Sequence, residues 1–334
     1  MIGGLLLHGG QNGQPWGVRT HNVVDAGLLC AGLEPEQALA LIGRVFSLCR
    51  VAHMAASTRA LGLVEQAAFE PARMQDEILQ DHALALLVTL PVQLNMPPQR
   101  ESLCKVLHNR KDGAYLVREL TGSATPIATM DAPAFAAWLA GGGAENAAFL
   151  PRLLHRCHAA LEGAGASVTM DALNPQTIQA WLGHDRGQSR PIMAYDASIW
   201  PDYAHCPVMQ ALAGQGGVPP FARLVARVLE FLACLEGPEG RMFARVGPFL
   251  ASLGAGVGVA RAARGMLVHV AQVHNGLVTD YQILSPTFWH AAKDGLFRQA
   301  ISRLRPGCAK VTVECVLAAL NPCVPVTVEV AQHA

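Results

Sequence analysis

Apolar residues recur at helical spacing through most of the first third of the chain. Leu33-Glu-Pro-Glu36 reads as a helix start, with proline in the first turn and carboxylates at the positive end of the dipole. Residues 38–45 carry that helix on. The same spacing predicts helices over about 51–69 and about 71–90, the second stopped by Pro91. Residues 95–100 are expected to form a loop. Further helices are expected over about 133–139 and 151–161, on either side of Gly141-Gly-Gly143. Residues 184–215 are polar, punctuated by proline and glycine, and supplied with Trp, Tyr and His. They read as irregular surface or an interaction loop. Helical spacing returns over 221–236.

The last third changes period. Residues 266–273 and 277–285 alternate as strands do, and His274-Asn-Gly276 lies between them. Asn-Gly is the favoured pair for a type I′ turn, so a β-hairpin is predicted. A helix is expected over 287–304 and another over 311–320, and residues 322–330 should be extended. No internal repeat stands out. The fold class is therefore α+β and mainly α: a helical bundle packed with a small hairpin-bearing sheet.

Composition narrows the function classes. The chain has 334 residues, 51% hydrophobic and 15% charged, with 25 Lys plus Arg against 25 Asp plus Glu. A balanced charge gives no electrostatic basis for binding nucleic acid or an anionic membrane. A surface so poor in charge suits protein partners. The start lacks a basic segment, and the apolar run at residues 2–7 is too short for a secretory signal. No stretch reaches a membrane span; 83–92 comes nearest and reads as a buried helix. Nine cysteines, an odd number, with no export signal argue against a disulfide framework and for a cytoplasmic protein.

Two cysteines stand in patterns that could carry chemistry. In Arg44-Val-Phe-Ser-Leu-Cys49-Arg-Val-Ala-His53, thiol and imidazole are four residues apart, on one face if a helix starts at once. Arg44, Arg50 and the helix N-terminus would lower the thiol pKa. The same pattern serves a buried cysteine beside a structural histidine. Cys323 is bracketed by Pro322 and Pro325, which pin the backbone and could hold the thiol toward a cleft. An apolar terminal strand would look the same. Arg264, before Gly265, can donate several hydrogen bonds to an anion or pair at the surface. Thr287 can line a pocket or cap a helix.

Together these segments resemble the large subunit of nickel–iron hydrogenases with part of its ligand set eroded. The family's Arg-x-Cys-Gly-x-Cys-x-x-x-His motif falls on Arg44, Phe46, Ser47, Cys49 and His53, so Phe46 replaces the first cysteine. Its terminal Asp-Pro-Cys-x-x-Cys-x-x-His falls on Asn321-Pro322-Cys323, then Val326 and Glu329. Its Ala-Pro-Arg-Gly segment falls on Ala262-Ala263-Arg264-Gly265, and its Pro-Thr-Thr-Trp-Asn segment on Pro286-Thr287-Phe288-Trp289-His290. Glu77-Ile-Leu-Gln-Asp-His82 also resembles a family segment. The matches run from about 22 to 330, and the shortened middle, about 100–240, departs most. A single domain over 1–334 is expected.

The loss of two cysteines resembles the HupK/HoxV-type hydrogenase maturation proteins. That resemblance implies a large-subunit-like fold and a non-catalytic scaffold for the iron–dicyano–carbonyl unit, Fe(CN)2(CO). Iron would be held by Cys49 and Cys323, with His53, Arg264 and Thr287 around its diatomic ligands. No nickel is expected, because Phe46 and Val326 cannot ligate it. The implied partners are a HypC-type chaperone and the hydrogenase large-subunit precursor. The chain stops soon after its second motif, without the long extension that the enzymes lose to an endopeptidase. A metal-free interaction chaperone, a degenerate redox enzyme and a Cys49–Cys323 disulfide switch are the alternatives. The scaffold and the disulfide switch require the two ends of the chain to meet.

Overall fold

The computed structural model describes residues 2–10, 13–63, 71–108, 112–182, 194–214, 216–237, 250–251 and 256–329. The chain opens not with a helix but with two antiparallel strands, β1 (Ile2–His8) and β2 (Gly17–Val24). Leu5 and Leu7 are buried at the period of two that a strand requires. Gly3-Gly4 and the brevity of the segment conceal that alternation in the sequence.

Helices α1 (Pro35–Val45) and α2 (Arg50–Ala60) follow. Helix α2 is shorter than expected, and residues 64–69 of the expected helix lie outside the described residues. Helix α3 (Pro71–Leu84) runs through a π-turn at Ala85–Thr89 into α4 (Leu90–Gln93). Pro91 therefore does not stop the helix. It has no N–H to give to the preceding turn, which widens around it, and the Leu87 carbonyl instead accepts from the Gln99 N–H at 2.7 Å.

The middle of the chain adds α5 (Arg100–His108), α6 (Gly113–Thr121), α7 (Ala132–Gly141), α8 (Phe149–Leu161) and α9 (Pro175–Leu182). The expected irregular segment contains two short helices, α10 (Trp200–Tyr203) and α11 (Pro207–Leu212). Residues 183–193 and 215 lie outside the described residues. Trp200 and Tyr203 do not form an interaction loop: both are buried, because each covers part of the main apolar cluster.

Helix α12 (Pro220–Glu236) is buried on every side from Pro220 to Leu235 and packs against α3, α6 and α8. It nonetheless carries Arg223, Arg227 and Glu230, spaced so that they share one face. Buried charges are retained only with partners, so that face marks a polar seam in the core.

A four-stranded antiparallel sheet follows, ordered β3 (Leu250–Ala251), β4 (Val257–Ala262), β5 (Gly265–His274) and β6 (Leu277–Leu284). The expected hairpin is present: His274 pairs with Leu277, and Asn275 and Gly276 have φ of 52° and 78°, the two left-handed residues of a type I′ turn. Helix α2 lies on β4 and β5. A side chain at Gly258 would collide with the Ala56 carbonyl, which fixes this close approach. The helix expected over 287–304 is two helices, α13 (Pro286–His290) and α14 (Leu296–Ser302). Gly295 breaks it, because a Cβ there would meet the carbonyls of Trp289 and His290.

Helix α15 (Lys310–Leu320) leads to β7 (Val326–Glu329), extended as expected. Strand β7 pairs in parallel with β1, Leu5 opposite Val326, to give a second sheet ordered β2-β1-β7. The two ends of the chain are thus joined by backbone hydrogen bonds. No described helix is long and apolar enough to cross a membrane.

Candidate functional site

Cys49 is the N-cap of α2 and adopts a left-handed conformation, φ 54° and ψ 36°. For a residue with a Cβ this costs on the order of 1–2 kcal/mol, and such strain collects at functional sites. The first N–H groups of α2 are not aimed at the thiol. Glu77 on α3 accepts from Val51 at 2.6 Å and from Ala52 at 3.1 Å. Arg44 and Arg50 are exposed and are not the flanking cations that sequence spacing suggested. The guanidinium at Cys49 belongs to Arg264, whose Nη1 donates to Sγ at 3.2 Å. Burial pushes the Cys49 thiol up to about 12, with Arg264 opposing and Asp81 and Glu77 assisting. It is a protonated thiol at neutral pH, hydrogen-bonded by a group suited to a thiolate.

Arg264 sits in the tight turn between β4 and β5, where Ala262 faces Gly265. Gly265 has φ 121°, and a Cβ there would strike the Ala197 carbonyl, so only glycine lets the turn press this close. The turn directs the guanidinium inward. It pairs with Asp81 of α3 at 2.8 Å, and Nε donates to the Pro322 carbonyl at 3.4 Å. Arg264 therefore touches both thiol-bearing segments.

Cys323 lies in the link between α15 and β7. Asn321 ends α15 in the left-handed region, φ 45°, which asparagine adopts more readily than most residues, and its amide donates to the Ala263 carbonyl at 3.3 Å. The Cys323 N–H donates to Thr287 Oγ1 at 2.9 Å, and its thiol donates to Ser285 Oγ at 3.7 Å. Pro325 holds the far side, its carbonyl accepting from the Leu5 N–H at 2.9 Å.

The outcome is a cavity of about 230 Å³ walled by Cys49, His53, Arg264, Ser285, Pro286 and Cys323. Four of the five residues singled out in the sequence line it. Thr287 stands behind it, occupied by the Cys323 backbone. Ser285 lines the cavity, its Oγ accepting from the Cys323 thiol and, as the cap of α13, from the Phe288 N–H at 3.2 Å, and its signal in the sequence is its place beside Pro286 at the exit of the hairpin. Phe46 stacks on the His53 ring, centroids 3.9 Å apart and planes 11° apart, so an apolar wall stands where the resemblance would put a thiolate. Val326 lies elsewhere. It lines an adjoining cavity of about 440 Å³ with Asp81 and Arg227, and Arg264 is shared between the two cavities. Among the described residues, no group of three or more His, Cys, Asp or Glu is placed to hold a metal ion.

Behind the cavity runs the polar seam of α12. Asp81 also binds Arg227 at 3.1 Å, and Arg227 Nε donates to His82 Nδ1 at 3.1 Å. His82 Nε2 then donates to Glu230 at 2.6 Å, and Glu230 pairs with Arg261 at 2.6 Å. Burial holds His82 below its ordinary value despite Glu230. Burial would raise Asp81 and Glu230, but Arg264 and Arg227 for the first, and Arg261 and His82 for the second, hold them below the usual carboxylate range. The seam fixes Asp81, and Asp81 fixes Arg264.

No family model matches the chain. It is 28% identical over 321 residues to the hydrogenase expression/formation protein HupV of Azotobacter chroococcum mcd 1, covering 90% of each chain. It is 28% identical over 329 residues to HupK of Azotobacter vinelandii, again over 90% of each. The chain is similar to these hydrogenase formation proteins over most of its length. Among solved structures it resembles the Ni-Fe-Se hydrogenase of D. vulgaris Hildenborough, TM-score 0.54 and 15% identity, covering 94% of each chain. The Ni-Fe-Se hydrogenase of Desulfomicrobium baculatum is similar at TM-score 0.53 and 13% identity, over 94% of each. At these identities the likeness is one of fold. This chain has a mainly helical α+β architecture like that of a hydrogenase large subunit, as its motifs implied.

Proposed function

We propose that this chain acts in hydrogenase formation as a non-catalytic scaffold, holding an Fe(CN)2(CO) unit between Cys49 and Cys323 before passing it on. The observation that carries this reading is the single cavity shared by two thiols far apart in sequence, with Arg264 donating to one of them. The HupV and HupK names support the role in hydrogenase formation. Two thiols supply only half of a four-coordinate shell, and no group of three or more His, Cys, Asp or Glu among the described residues is placed to hold a metal ion. A unit that arrives with its own diatomic ligands needs only two more donors. Its cyanides are anionic acceptors, for which Arg264 and Ser285 are matched donors. Four soft ligands for nickel are not gathered here: Phe46 walls the thiol cavity in place of one, and Val326 lines the neighbouring cavity. A HypC-type chaperone as source and a hydrogenase large-subunit precursor as recipient are the partners this reading requires.

The test is infrared spectroscopy and metal analysis of protein purified without oxygen from a host that makes the hydrogenase maturation system. Cyanide and carbonyl stretches and about one iron per chain are expected, with both lost in Cys49→Ala and Cys323→Ala. Iron-free protein with no such stretches, and hydrogenase maturation unaffected by either substitution, would defeat the scaffold. Iron-free protein whose removal still blocks maturation would leave a metal-free chaperone.

Loading must also release the Cys49 proton. Because that thiol titrates near 12, affinity should climb about tenfold per pH unit through neutrality for each proton released. Equilibrium exchange of the iron unit against a competing dithiol of known pKa, measured across pH, checks this. A flat profile after correction for the competitor excludes thiolate ligation by Cys49.

A further inference from the structure

Behind His53 a chain of hydrogen bonds leaves the thiol cavity and serves no role in the scheme above. His53 Nδ1 lies 3.0 Å from His269 Nε2. His269 Nδ1 lies 2.7 Å from the Tyr281 hydroxyl. That hydroxyl donates to Ser57 Oγ at 2.6 Å. All four side chains are buried: His53 is 7% exposed, Tyr281 3%, and His269 and Ser57 0%. They come from three elements, α2, β5 and β6, and Ser57 is one helical turn beyond His53 on α2.

A chain of this kind has one sense throughout. A phenol carries one proton and a neutral imidazole one N–H. Both rings are buried and the partners they meet are each other and a phenol, with no carboxylate bonded to either, so both are neutral. Tyr281 gives its proton to Ser57, so it must accept from His269. His269 is then protonated on Nδ1 and bare on Nε2, where it accepts from His53 Nδ1–H. The second nitrogen of His53 is left without a proton. We infer that the Ser57 hydroxyl, acting through Tyr281 and His269, fixes the tautomer of His53, so that His53 presents a bare Nε2 to the thiol cavity as a hydrogen-bond acceptor.

This assignment divides the cavity by polarity. Arg264 and Ser285 supply donors on one part of the wall, and His53 supplies an acceptor on another. A bare nitrogen accepts a thiol S–H and repels an anionic acceptor. His53 therefore leaves the set of donors to the diatomic ligands in which sequence resemblance placed it. Ser57, Tyr281 and His269 are positioning residues, since none of them lines the cavity. The chain is complete in the protein alone, so the assignment stands or falls independently of whether the cavity carries iron.

The experiment is a long-range proton–nitrogen correlation on the full-length, metal-free protein labelled with ¹⁵N-histidine. In the wild type, His53 and His269 should each carry the proton on Nδ1, with Nε2 bare. In Ser57→Ala the phenol loses its acceptor and turns to donate to His269 Nδ1. Both imidazoles should then carry the proton on Nε2. Ser57→Thr restores the hydroxyl and should restore the wild-type pattern. A wild-type spectrum with the His53 proton on Nε2 overturns the inference whether or not any variant folds. A folded Ser57→Ala protein that keeps the wild-type tautomers overturns it as well.

Discussion

Acidification from about pH 7 to about pH 5 is expected to unfold the protein cooperatively, above the range in which carboxylates titrate. His53, His269 and His290 are buried and neutral; burial lowers His53 to about 3, His290 to about 4, and His269 well below its ordinary value. In the unfolded chain each returns to the ordinary range near 6.5. Below that value the unfolded state binds protons that the folded state refuses, so stability falls as pH falls. Each histidine forfeits about 2 kcal/mol over this interval. Three together forfeit roughly 6 kcal/mol, comparable with the whole stability of a typical domain. His82 adds in the same direction. Glu77 and Asp202, raised by burial, act the opposite way. Circular dichroism or tryptophan fluorescence followed against pH, with urea midpoints at each pH, checks the expectation. Midpoints that stay level to pH 5 would show that these histidines are not held neutral.

If the proposed scaffold holds an iron unit, Arg264→Met is expected to lose it while leaving the protein folded. The guanidinium bonds Cys49 Sγ, the Asp81 carboxylate and the Pro322 carbonyl from one turn. Methionine retains the apolar stem and removes every donor. Hydrogen bonds from a charged donor contribute about 1.5–3 kcal/mol each. Losing the contact to the Cys49 thiolate alone should lower retained iron roughly tenfold or more. Asp81 keeps Arg227 as a partner, so the buried carboxylate is not stranded. Arg264→Lys should recover only part of the loss, because an ammonium is a compact donor that cannot bridge three groups in a plane. Iron content and infrared band intensity of the two variants, beside their urea midpoints, separate loss of cargo from loss of fold. Wild-type iron in Arg264→Met would remove Arg264 from the site.

Legibility in the sequence followed from how local each determinant is. The type I′ hairpin was readable because Asn275-Gly276 dictates its own turn. Helices α1, α8 and α12 were readable because their apolar spacing is intact over two turns or more. Cys49, His53, Arg264 and Cys323, which line one cavity, were readable as motif positions, by resemblance and in register. Strands β1 and β2 were not, since a short glycine-rich strand becomes one only when β7 returns to pair with it. The π-turn before Pro91 was not, because the carbonyl that proline frees is satisfied by Gln99, outside the helix.

The sequence by itself determined which side chains this protein can offer: two thiols where a nickel site needs four, a guanidinium beside a glycine, and a phenylalanine and a valine that ligate nothing. Tertiary structure alone decided what those groups meet. It brought Arg264 rather than Arg44 or Arg50 to Cys49, turned Thr287 to the backbone and Ser285 to the cavity, and moved Val326 to the neighbouring one. It also buried Trp200 and Tyr203 and placed His53 at the head of a hydrogen-bond chain. The physical reason is that charge, desolvation and hydrogen bonding act over a few ångströms of space, and residues 49, 264 and 323 come within that distance only when the chain has closed upon itself.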